Sequence, residues 1–403
     1  MGSKFAIARA YLAARFPRKL RQQPGEAPVM GEAELAADFA SFNALKLPLE
    51  EARRMAQREL ESGAPVHADY SFGLSSGTTG APGVFLTTQR ERDRWLGTVL
   101  GKFLSPAQVW GLNAALLLKH NNRLYEASRR VHYFDLSQSA AHWAPRLCDL
   151  QPNVVIGPPS VLLTLARSAA FQRRPVQPHT LLSAAEPLFP QDRQALTRAF
   201  GVAPRNLYQA KEGFLAAGCV EGTLHWNEDL MVLEGMRFKG RPDRVVPVIS
   251  DFTRQSQTFR RYRVDDVLVI SELCSCRTPL RKVTTVEGRL QDVLLRPGPE
   301  GVRPLFPLEL NEHLRAIGEY TLHQRSFDEF VLASAAAPPP GLVERLREAL
   351  GGHAQIGLEP LRANEPGKKR RRFQRHFDPE NRLILEQLLE PAAPLGGRSL
   401  RDL

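Results

Sequence analysis

The chain has 403 residues, of which 43% are hydrophobic and 24% are charged, and its formal net charge is +11 at pH 7. This length predicts two or three domains, and the composition is that of a globular protein without a run of about 18 apolar residues that could span a membrane. The basic residues are scattered apart from one run at 368–372, so charge alone does not choose between nucleic acid, an acidic carrier protein and a polyphosphate ligand.

The first 65 residues are predicted to form a helical cap. Helix-period patterns cover 32–45 and 49–61. A first helix is expected because four apolar residues share one face: Phe5, Ala8, Leu12 and Phe16. Arginines interrupt this segment, which is unlike the unbroken apolar region of a signal peptide. With only four cysteines in the chain, we expect a protein of the cytoplasm, a reducing compartment.

A hydroxyl-rich loop follows the cap: Ser75-Ser76-Gly77-Thr78-Thr79-Gly80-Ala81-Pro82-Gly83. Short apolar runs at 70–74 and 84–88 flank it, which predicts a hairpin. Its glycines let the backbone approach a ligand, and its hydroxyls and amides offer donors to an anion. The loop lacks the lysine and the following helix of a Walker loop. Taken alone, such a loop is also typical of a solvated linker.

The middle of the chain alternates short β-rich runs with helical patterns. Strands are predicted at 153–157, 180–183 and 206–208, with helices between them, which favours a parallel or mixed sheet flanked by helices. From 224 to 285 the pattern is mostly β. A linker or turn at 297–301 leads into a small α+β region. We therefore predict a large domain over 1–288, a small domain over 289–388 and a loose tail over 389–403.

Further motifs follow the hydroxyl-rich loop in a fixed order, each weak by itself. They are Ser183-Ala184-Ala185-Glu186-Pro187, Asn206-Leu207-Tyr208-Gln209-Ala210-Lys211-Glu212-Gly213, Arg261-Tyr262-Arg263-Val264-Asp265-Asp266, Glu287-Gly288-Arg289 and Pro366-Gly367-Lys368-Lys369-Arg370-Arg371. In this order the chain resembles the adenylate-forming superfamily, most closely its phenylacetate-CoA ligase and coenzyme F synthetase-like branch. The resemblance implies an α/β fold with a large N-terminal domain of mixed sheets flanked by helices, and a small mobile α+β C-terminal domain.

The resemblance implies that this is an enzyme that binds ATP and Mg²⁺. The loop would hold the β- and γ-phosphates through Ser75, Ser76, Gly77, Thr78, Thr79 and Gly80. Glu212 would coordinate Mg²⁺, a hard cation that prefers carboxylates and phosphate oxygens. Tyr208 would stack on the adenine, and Asp266 would accept the ribose hydroxyls. Each residue also has a plainer interpretation, such as a surface charge at a turn for Glu212 or a strand-end cap for Asp266.

Two basic residues complete the implied machinery. Arg289 would lie near the phosphates at the domain junction. Lys368 would bridge the carboxylate and the α-phosphate, with Lys369 as an adjacent competitor and a solvated basic run as the plain alternative. The small domain would rotate about 288–292 between the two half-reactions.

The implied reaction is ATP-dependent formation of an acyl-adenylate with release of pyrophosphate, followed by acyl transfer to a thiol of coenzyme A or an acyl carrier protein. The acid would lie near Phe134, Pro158, Ser160, Ala184 and Gly213, although Phe134 is equally typical of an ordinary core. Small residues there favour an aryl acid. An adenylyltransferase that leaves AMP on its product is a competing hypothesis, and a nucleic-acid-binding protein is another, although no recognition motif for nucleic acid is present. A homodimer is left open.

Four residues have the types and spacing of a structural zinc site: Cys219, His225, Cys274 and Cys276. Three thiols and one imidazole form a Cys₃His set, although Cys-x-Cys is less specific than paired Cys-x-x-Cys motifs. The alternative is three buried thiols and a surface histidine. Cys148, in a helical pattern, is excluded from the set.

The chain departs from the family pattern at several positions. Gly83 stands where many members have Lys or Thr, Gln209 replaces a common Gly, and Gln291 stands where an Asp often serves as the hinge. Lys211 replaces Ser or Thr, so its ammonium could supply the charge that the loop lacks at Gly83. The alternative is that Lys211 pairs with Glu212 or points to solvent.

Overall fold

The structure is a computed structural model that describes residues 3–21, 23–74, 83–118, 130–271, 274–276, 278–298, 301–362, 371–377 and 380–395. The chain divides into two compact units. The first unit contains Met1–Val232, Ile249–Tyr262 and Ser271–Thr284, and the second contains Leu233–Val248, Arg263–Ile270 and Thr285–Leu403. The last segment of the second unit begins at Thr285, close to the predicted domain boundary at 288/289. The second unit also contains two earlier segments of the chain. That boundary stays a prediction.

Helices and strands alternate over much of the chain. The helices are α1 (Ser3–Arg15), α2 (Glu32–Ala37), α3 (Leu49–Ser62), α4 (Gln89–Phe103), α5 (Pro106–Trp110), α6 (Ala140–Leu150), α7 (Pro159–Arg167), α8 (Ala169–Arg173), α9 (Pro190–Phe200), α10 (Pro307–Leu314), α11 (Leu342–Leu350) and α12 (Glu380–Gln387). The strands are β1 (Tyr70–Leu74), β2 (Val84–Thr88), β3 (Ala114–Leu118), β4 (Val131–Asp135), β5 (Val154–Gly157), β6 (Thr180–Ala184), β7 (Arg205–Ala210), β8 (Gly213–Gly218), β9 (Leu224–Trp226), β10 (Val232–Phe238), β11 (Arg241–Asp251), β12 (Phe259–Arg263), β13 (Asp266–Ser271), β14 (Lys282–Arg289), β15 (Leu294–Gly298), β16 (Gly301–Leu305), β17 (Tyr320–Gln324), β18 (Glu329–Ser334), β19 (Gln355–Pro360), β20 (Phe373–Arg375) and β21 (Ala393–Pro394).

The first unit contains a mixed sheet. Its strands β4, β3, β5, β6 and β7 are parallel neighbours in that order, and β8 and β9 continue the sheet antiparallel. Parallel neighbours need crossover connections, and α6, α7, α8 and α9 supply helices between them. The predicted mixed sheet flanked by helices is therefore confirmed.

Side chains of this sheet face two separate hydrophobic cores. Leu117, Phe134, Val155 and Leu181 pack on one face together with residues of α6, α7 and α9. Ala114, Val154, Leu182 and Ala184 pack on the other face with Val99 and Phe103 of α4. Successive side chains of a strand point to opposite faces, so neighbouring residues of one strand serve different cores.

The helical cap differs in part from its prediction. The pattern at 32–45 forms only the short helix α2 and a 3₁₀ turn, Phe39–Phe42. The chain leaves the helix at Asn43, whose buried amide donates to the carbonyl of Phe39 at 2.7 Å and accepts from the amide of Leu47 at 3.0 Å. A side-chain amide that satisfies backbone groups in this way competes with helix continuation.

The first helix buries a different face from the expected one. Phe5, Leu12 and Phe16 are exposed, while Ala14 is buried. On α4, a Cβ added at Gly97 would lie 2.2 Å from the carbonyl oxygen of Ile7, so α1 and α4 pack with close backbone contact. Packing through small residues thus outweighs the apolar stripe.

The second unit has its own cores and sheets. Strands β15 and β16 form a hairpin that contains Pro297, Gly298 and Gly301 of the predicted linker, and 299–300 lie outside the described residues. Strands β19, β18, β17 and β20 form a four-stranded sheet packed with α10 and α11. In the predicted tail, Ala393 and Pro394 pair with β10, and Leu389 and Leu395 are buried, so part of 389–395 is anchored rather than loose. Among the described residues, no helix is both long and apolar enough to cross a bilayer.

Candidate functional site

The hydroxyl-rich loop is framed by a two-stranded hairpin. Strands β1 and β2 are antiparallel, and Leu74 pairs with Val84 at the end where the loop joins them. The hairpin predicted around the loop is thus present. Six predicted phosphate-binding residues lie outside the described residues, and their roles stay predictions: Ser75, Ser76, Gly77, Thr78, Thr79 and Gly80.

Glu212 lies at the turn between β7 and β8, and its side chain is buried. This position removes the interpretation of Glu212 as a surface charge. The neighbouring Lys211 places its Nζ 4.0 Å from a Glu212 carboxylate oxygen and forms a closer ion pair with Glu32 of α2. The hydroxyl of Tyr262 donates to the same Glu32 carboxylate at 2.8 Å. Lys211 therefore joins the turn to the helical cap, a partner that the sequence did not predict.

Arg254, which belongs to none of the sequence motifs, holds this turn against the hairpin. Its guanidinium donates to the carbonyl oxygen of Lys211 at 2.8 Å and to that of Glu212 at 3.3 Å. The other terminal nitrogen donates to the carbonyl oxygen of Leu86 in β2 at 2.7 Å. One side chain thus joins the backbone of the Glu212 turn to the strand that follows the hydroxyl-rich loop.

Carboxylates surround this guanidinium. Loss of solvation lowers the pKa of Arg254, and three carboxylates oppose that change: Glu91, Asp251 and Glu212. Glu91 accepts hydrogen bonds from the amides of Gln255 and Ser256, at 2.6 and 3.0 Å. Burial raises the pKa of Glu91, but its hydrogen bonds outweigh burial and hold the pKa below its ordinary value. The segment around Arg254 is therefore anchored by an ionised carboxylate at the start of α4.

Tyr208 projects from β7 beside the same turn. Its ring meets that of Trp226 edge to face, with the centroids 6.2 Å apart. The pairing of β7 with β8 shifts register between Tyr208 and Gln209. Gln209, which departs from the family pattern, accepts a hydrogen bond from the indole of Trp95 at 2.8 Å. The predicted adenine-stacking residue is thus supported by an aromatic neighbour, and its role stays a prediction.

The structure does not bring all five predicted acid-pocket residues together. Ala184 ends β6, and Ser160 is the second residue of α7, where its amide donates to the carboxylate of Glu186 at 3.2 Å. Phe134 belongs to the core on the other face of the sheet from Ala184. Its place in that core, with the Arg146 guanidinium 5.9 Å from its ring centroid, corrects the grouping of Phe134 with the pocket. The physical reason is the alternation of side chains along a strand.

Two positions at or beside the remaining pocket residues have a positive φ. Pro158 is buried between β5 and α7. Ala185, directly after Ala184, has a positive φ of 67°, which costs a non-glycine residue free energy and is common at functional sites. Gly213 has φ of 146°, a conformation that favours glycine, and a Cβ there would lie 3.9 Å from an Asp251 carboxylate oxygen. A glycine therefore suits the turn that carries Glu212.

In the second unit, two predicted nucleotide-binding residues contact each other. The Nε of Arg289, at the end of β14, lies 3.1 Å from Oδ1 of Asp266, the buried first residue of β13. The amide of Arg289 donates to Asp292 at 3.3 Å, and Asp292 also accepts from Nε of Arg371 at 3.0 Å. Asp292 follows Gln291, where the sequence departs from the family pattern. Asp292 is thus held by Arg371, a residue of the basic run at 368–372. Lys368 and Lys369 lie outside the described residues.

The predicted metal-binding cysteines and histidine do come together. Cys219 and His225 flank the turn between β8 and β9, and Cys274 and Cys276 come from the segment before β14. Their ligand atoms all lie within 4.8 Å of one another. His225 is buried, so the alternative of a surface histidine is wrong. This is the set of residue types that structural zinc sites use.

The donor types near Glu212 fit Mg²⁺. A buried carboxylate at the turn, close to the hairpin that carries the hydroxyl-rich loop, offers one hard oxygen ligand. Mg²⁺ is commonly held by one or two carboxylates together with phosphate oxygens and water. The geometry therefore suits a metal that arrives with a polyphosphate.

Comparisons with known proteins agree with this geometry. No protein-family model matches the chain. Over 278 residues the chain is 23% identical to phenylacetate-coenzyme A ligase of Pseudomonas putida, an alignment that covers 62% of this chain and 61% of that ligase. The alignment thus spans less than two thirds of the relative's length.

Solved structures show the same fold. A 2-hydroxyisobutyryl-CoA ligase, in its postadenylation state with 2-HIB-AMP, superposes with a TM-score of 0.60 at 17% identity and covers 95% of this chain and 87% of that chain. A structure from work on fatty acyl-adenylate ligases of E. coli and L. pneumophila gives a TM-score of 0.53 at 13% identity, with 74% of this chain and 67% of that chain covered. At these identities the superpositions establish the fold.

Proposed function

We propose that this chain, an adenylate-forming protein of the phenylacetate-CoA ligase-like branch, uses ATP to convert a carboxylic acid into an acyl-adenylate with release of pyrophosphate. In a second step the acyl group passes to a thiol of coenzyme A or of an acyl carrier protein. The observation that carries the proposal is the buried carboxylate of Glu212, on a turn whose backbone Arg254 joins to β2. A buried carboxylate beside the strand that follows the hydroxyl-rich loop supports a role for Glu212 in holding the metal of a bound nucleotide.

In the first step the acid's oxygen attacks the α-phosphorus, and pyrophosphate leaves. The hydroxyls of 75–80 would hold the β- and γ-phosphates, and Glu212 would hold Mg²⁺, which would neutralise charge on the phosphate oxygens. Arg254 keeps the Glu212 turn at a fixed distance from β2, since its hydrogen bonds reach both. Fixed positions matter because catalysis of phosphoryl transfer is mostly positioning and electrostatics.

Two further motifs have proposed roles toward the nucleoside. Tyr208 offers an aromatic face to adenine, and Asp266 offers a carboxylate to the ribose hydroxyls. Arg289, which is partly exposed while it contacts Asp266, would contact the phosphates. Lys368 contacts the carboxylate and α-phosphate during adenylation only, so its loss impairs adenylate formation more than transfer to the thiol.

For the acid we propose an aryl compound. The supporting observation is the small side chains at Ala184 and Ala185, and at Gly213 beside the Glu212 turn. Small residues leave room for a planar ring. The free cysteines of the described residues accord with the cytoplasm as the compartment, which stays a prediction, as does a homodimer.

A pyrophosphate-release screen over aromatic and aliphatic acids tests the proposal. We expect release to depend on one class of acid, with aromatic acids preferred, and Glu212→Gln to abolish it. Glu59→Gln is the matched control, because Glu59 is also buried and accepts from the amide of Phe72 at 3.1 Å, which glutamine can also do. Acid-independent release, or equal activity in Glu212→Gln and wild type, would overturn the proposal.

A further inference from the structure

We propose that Cys219, His225, Cys274 and Cys276 bind one structural Zn²⁺ ion. The Sγ atoms of Cys219 and Cys274 lie 3.9 Å apart, and the Sγ of Cys276 lies 3.3 Å from Nε2 of His225. The cluster lies in the first unit. None of its four residues has a proposed role in binding Mg²⁺ or phosphates.

The distances match the edges of a tetrahedron. With Zn–S bonds of about 2.3 Å and Zn–N bonds of about 2.0 Å, tetrahedral geometry requires sulfurs about 3.8 Å apart and a sulfur–nitrogen edge of about 3.5 Å. The observed 3.9 and 3.3 Å agree with these edges to within a few tenths of an ångström. All four donor atoms also lie within 4.8 Å of one another, so one ion can reach every donor.

The imidazole is oriented as metal-binding histidines are. The Nδ1 of His225 lies 3.1 Å from the carbonyl oxygen of Leu280. Because a carbonyl oxygen only accepts, Nδ1 carries the proton in this hydrogen bond. The lone pair of Nε2 is then directed at the cysteines. A backbone carbonyl that accepts from the second ring nitrogen is the usual outer partner of a zinc-bound histidine.

The turn that carries the first ligand is also well defined. The amide of Cys219 donates to the carbonyl oxygen of Thr223 at 2.8 Å, and the amide of Gly222 donates back to Cys219 at 2.9 Å. Gly222 has a positive φ of 78°. A tight turn between two sheet strands thus holds Cys219 and His225 in position before any metal arrives.

A disulfide does not explain the cluster. Bonded sulfurs lie about 2.0 Å apart, far closer than the 3.9 Å between Cys219 and Cys274. All four cysteines of the chain are free thiols. A closed set of three thiolates and one imidazole, with no open position, favours zinc in a structural role over a catalytic metal.

The ion would tie two chain segments that are distant in sequence. His225 pairs with Lys282 between β9 and β14, so zinc would fix the end of this strand pair to the 274–276 segment. The next residue, Trp226, packs edge to face on Tyr208. Zinc therefore supports, through β9, the aromatic pair beside the Glu212 turn.

Metal analysis by mass spectrometry tests this inference on the full chain, purified without chelator and compared with a Cys276→Ser variant. We expect about one zinc per wild-type chain and a value near the buffer background for Cys276→Ser. Cys148→Ser is the matched control, because Cys148 is buried in α6 outside the cluster and should leave the zinc content unchanged.

A second measurement covers the event that Cys276→Ser fails to fold. Zinc is stripped from the wild-type protein under reducing conditions and Co²⁺ is added, and we expect the intense visible absorption of tetrahedral Co²⁺ bound to thiolates. No zinc in the purified protein together with no cobalt spectrum would overturn the inference. Iron in place of zinc, or equal zinc loss in the Cys148→Ser variant, would overturn it as well.

Discussion

The guanidinium of Arg254 donates a hydrogen bond to the carbonyl oxygen of Leu86 across 2.7 Å, although the two residues are far apart in sequence. The same guanidinium donates to the carbonyl oxygens of Lys211 and Glu212. The strand that follows the hydroxyl-rich loop and the turn that carries the proposed Mg²⁺ ligand therefore share one positioning residue. Lysine cannot reproduce this arrangement, because it has a single nitrogen in place of a planar fork of donors.

Arg254→Lys is accordingly expected to lower kcat/KM for ATP by roughly 10- to 100-fold, because misplacement of a catalytic group by about 1 Å can cost that much. Steady-state kinetics with varied ATP checks it. Arg205→Lys is the matched control, since Arg205 also donates to three backbone carbonyls: Lys102, Phe103 and Gly218. If both variants lose similar thermal stability but only Arg254→Lys has a kinetic defect, the result supports the positioning role of Arg254. Equal kinetic defects in both variants would contradict it.

The contact between Asp266 and Arg289 leads to a second expectation. If Asp266 accepts the ribose hydroxyls, Asp266→Asn removes charge-assisted hydrogen bonds worth about 1.5–3 kcal/mol, which raises KM for ATP by roughly 10- to 100-fold. The substitution should not raise KM for the acid. Comparison of ATP with 2′-deoxy-ATP provides the check, because the mutant should discriminate less between them than the wild type. Undiminished discrimination would show that Asp266 does not accept the ribose hydroxyls.

Lys211 offers a third test. Its ammonium pairs with Glu32 and lies 4.0 Å from a carboxylate oxygen of Glu212, so its charge is close to the proposed metal ligand. If that charge replaces the one missing at Gly83, Lys211→Thr raises KM for ATP, and Gly83→Lys added to it restores part of the loss. Glu32→Gln separates the roles, because it frees the ammonium without removing it. A rise in KM for ATP that is equal in Glu32→Gln and Lys211→Thr would make Lys211 a structural link to α2.

The paired histidines of the second unit carry a pH prediction. The ring of His323 stacks on the ring of His376, and Nδ1 of His323 lies 2.7 Å from Nε2 of His376. Burial lowers the pKa of His323 to about 4, and the nearby charge of His376 adds to this. The unfolded value is about 6.5, so the unfolded chain binds more protons between these pH values, and the stability contribution is complete above pH 6.5 and lost as pH falls toward 4.

NMR titration of the histidine ring signals checks this expectation. We expect the midpoint of His323 near 4 in the folded protein and a higher midpoint in His376→Gln. A midpoint of His323 near 6.5 in the folded wild type would show that its ring is not held away from solvent.

Much of the fold could be predicted from the sequence because its signals are local. Short β-rich runs at 153–157 and 180–183 between helical patterns indicated the parallel strands, and the order of the motifs indicated a resemblance to the adenylate-forming superfamily. The cysteine cluster was also readable, since Cys and His are few and chemically distinctive. The strand predictions depended on patterns within a few residues of each other, whereas the cluster and the motif order depended on distinctive residue types.

The remaining features depend on contacts between distant segments. Arg254 belongs to no motif, and its role appears only when β2 and the Glu212 turn are placed beside it. The ion pair of Lys211 with Glu32 joins the helical cap to a turn far along the chain. Phe134 was placed with Ala184 because sequence order does not show which face of the sheet a strand residue occupies.

The measurement that tests the central claim most directly is product analysis with ATP labelled at the α-phosphate. The protein is incubated with labelled ATP, the acid selected by the pyrophosphate-release screen, and coenzyme A. We predict that the label leaves as free AMP only when the acid is present, that a labelled acyl-adenylate accumulates when the thiol is omitted, and that a thioester forms when it is added. Label that stays on the final product would contradict this account and identify an adenylyltransferase, and AMP release independent of any acid would contradict acid activation altogether.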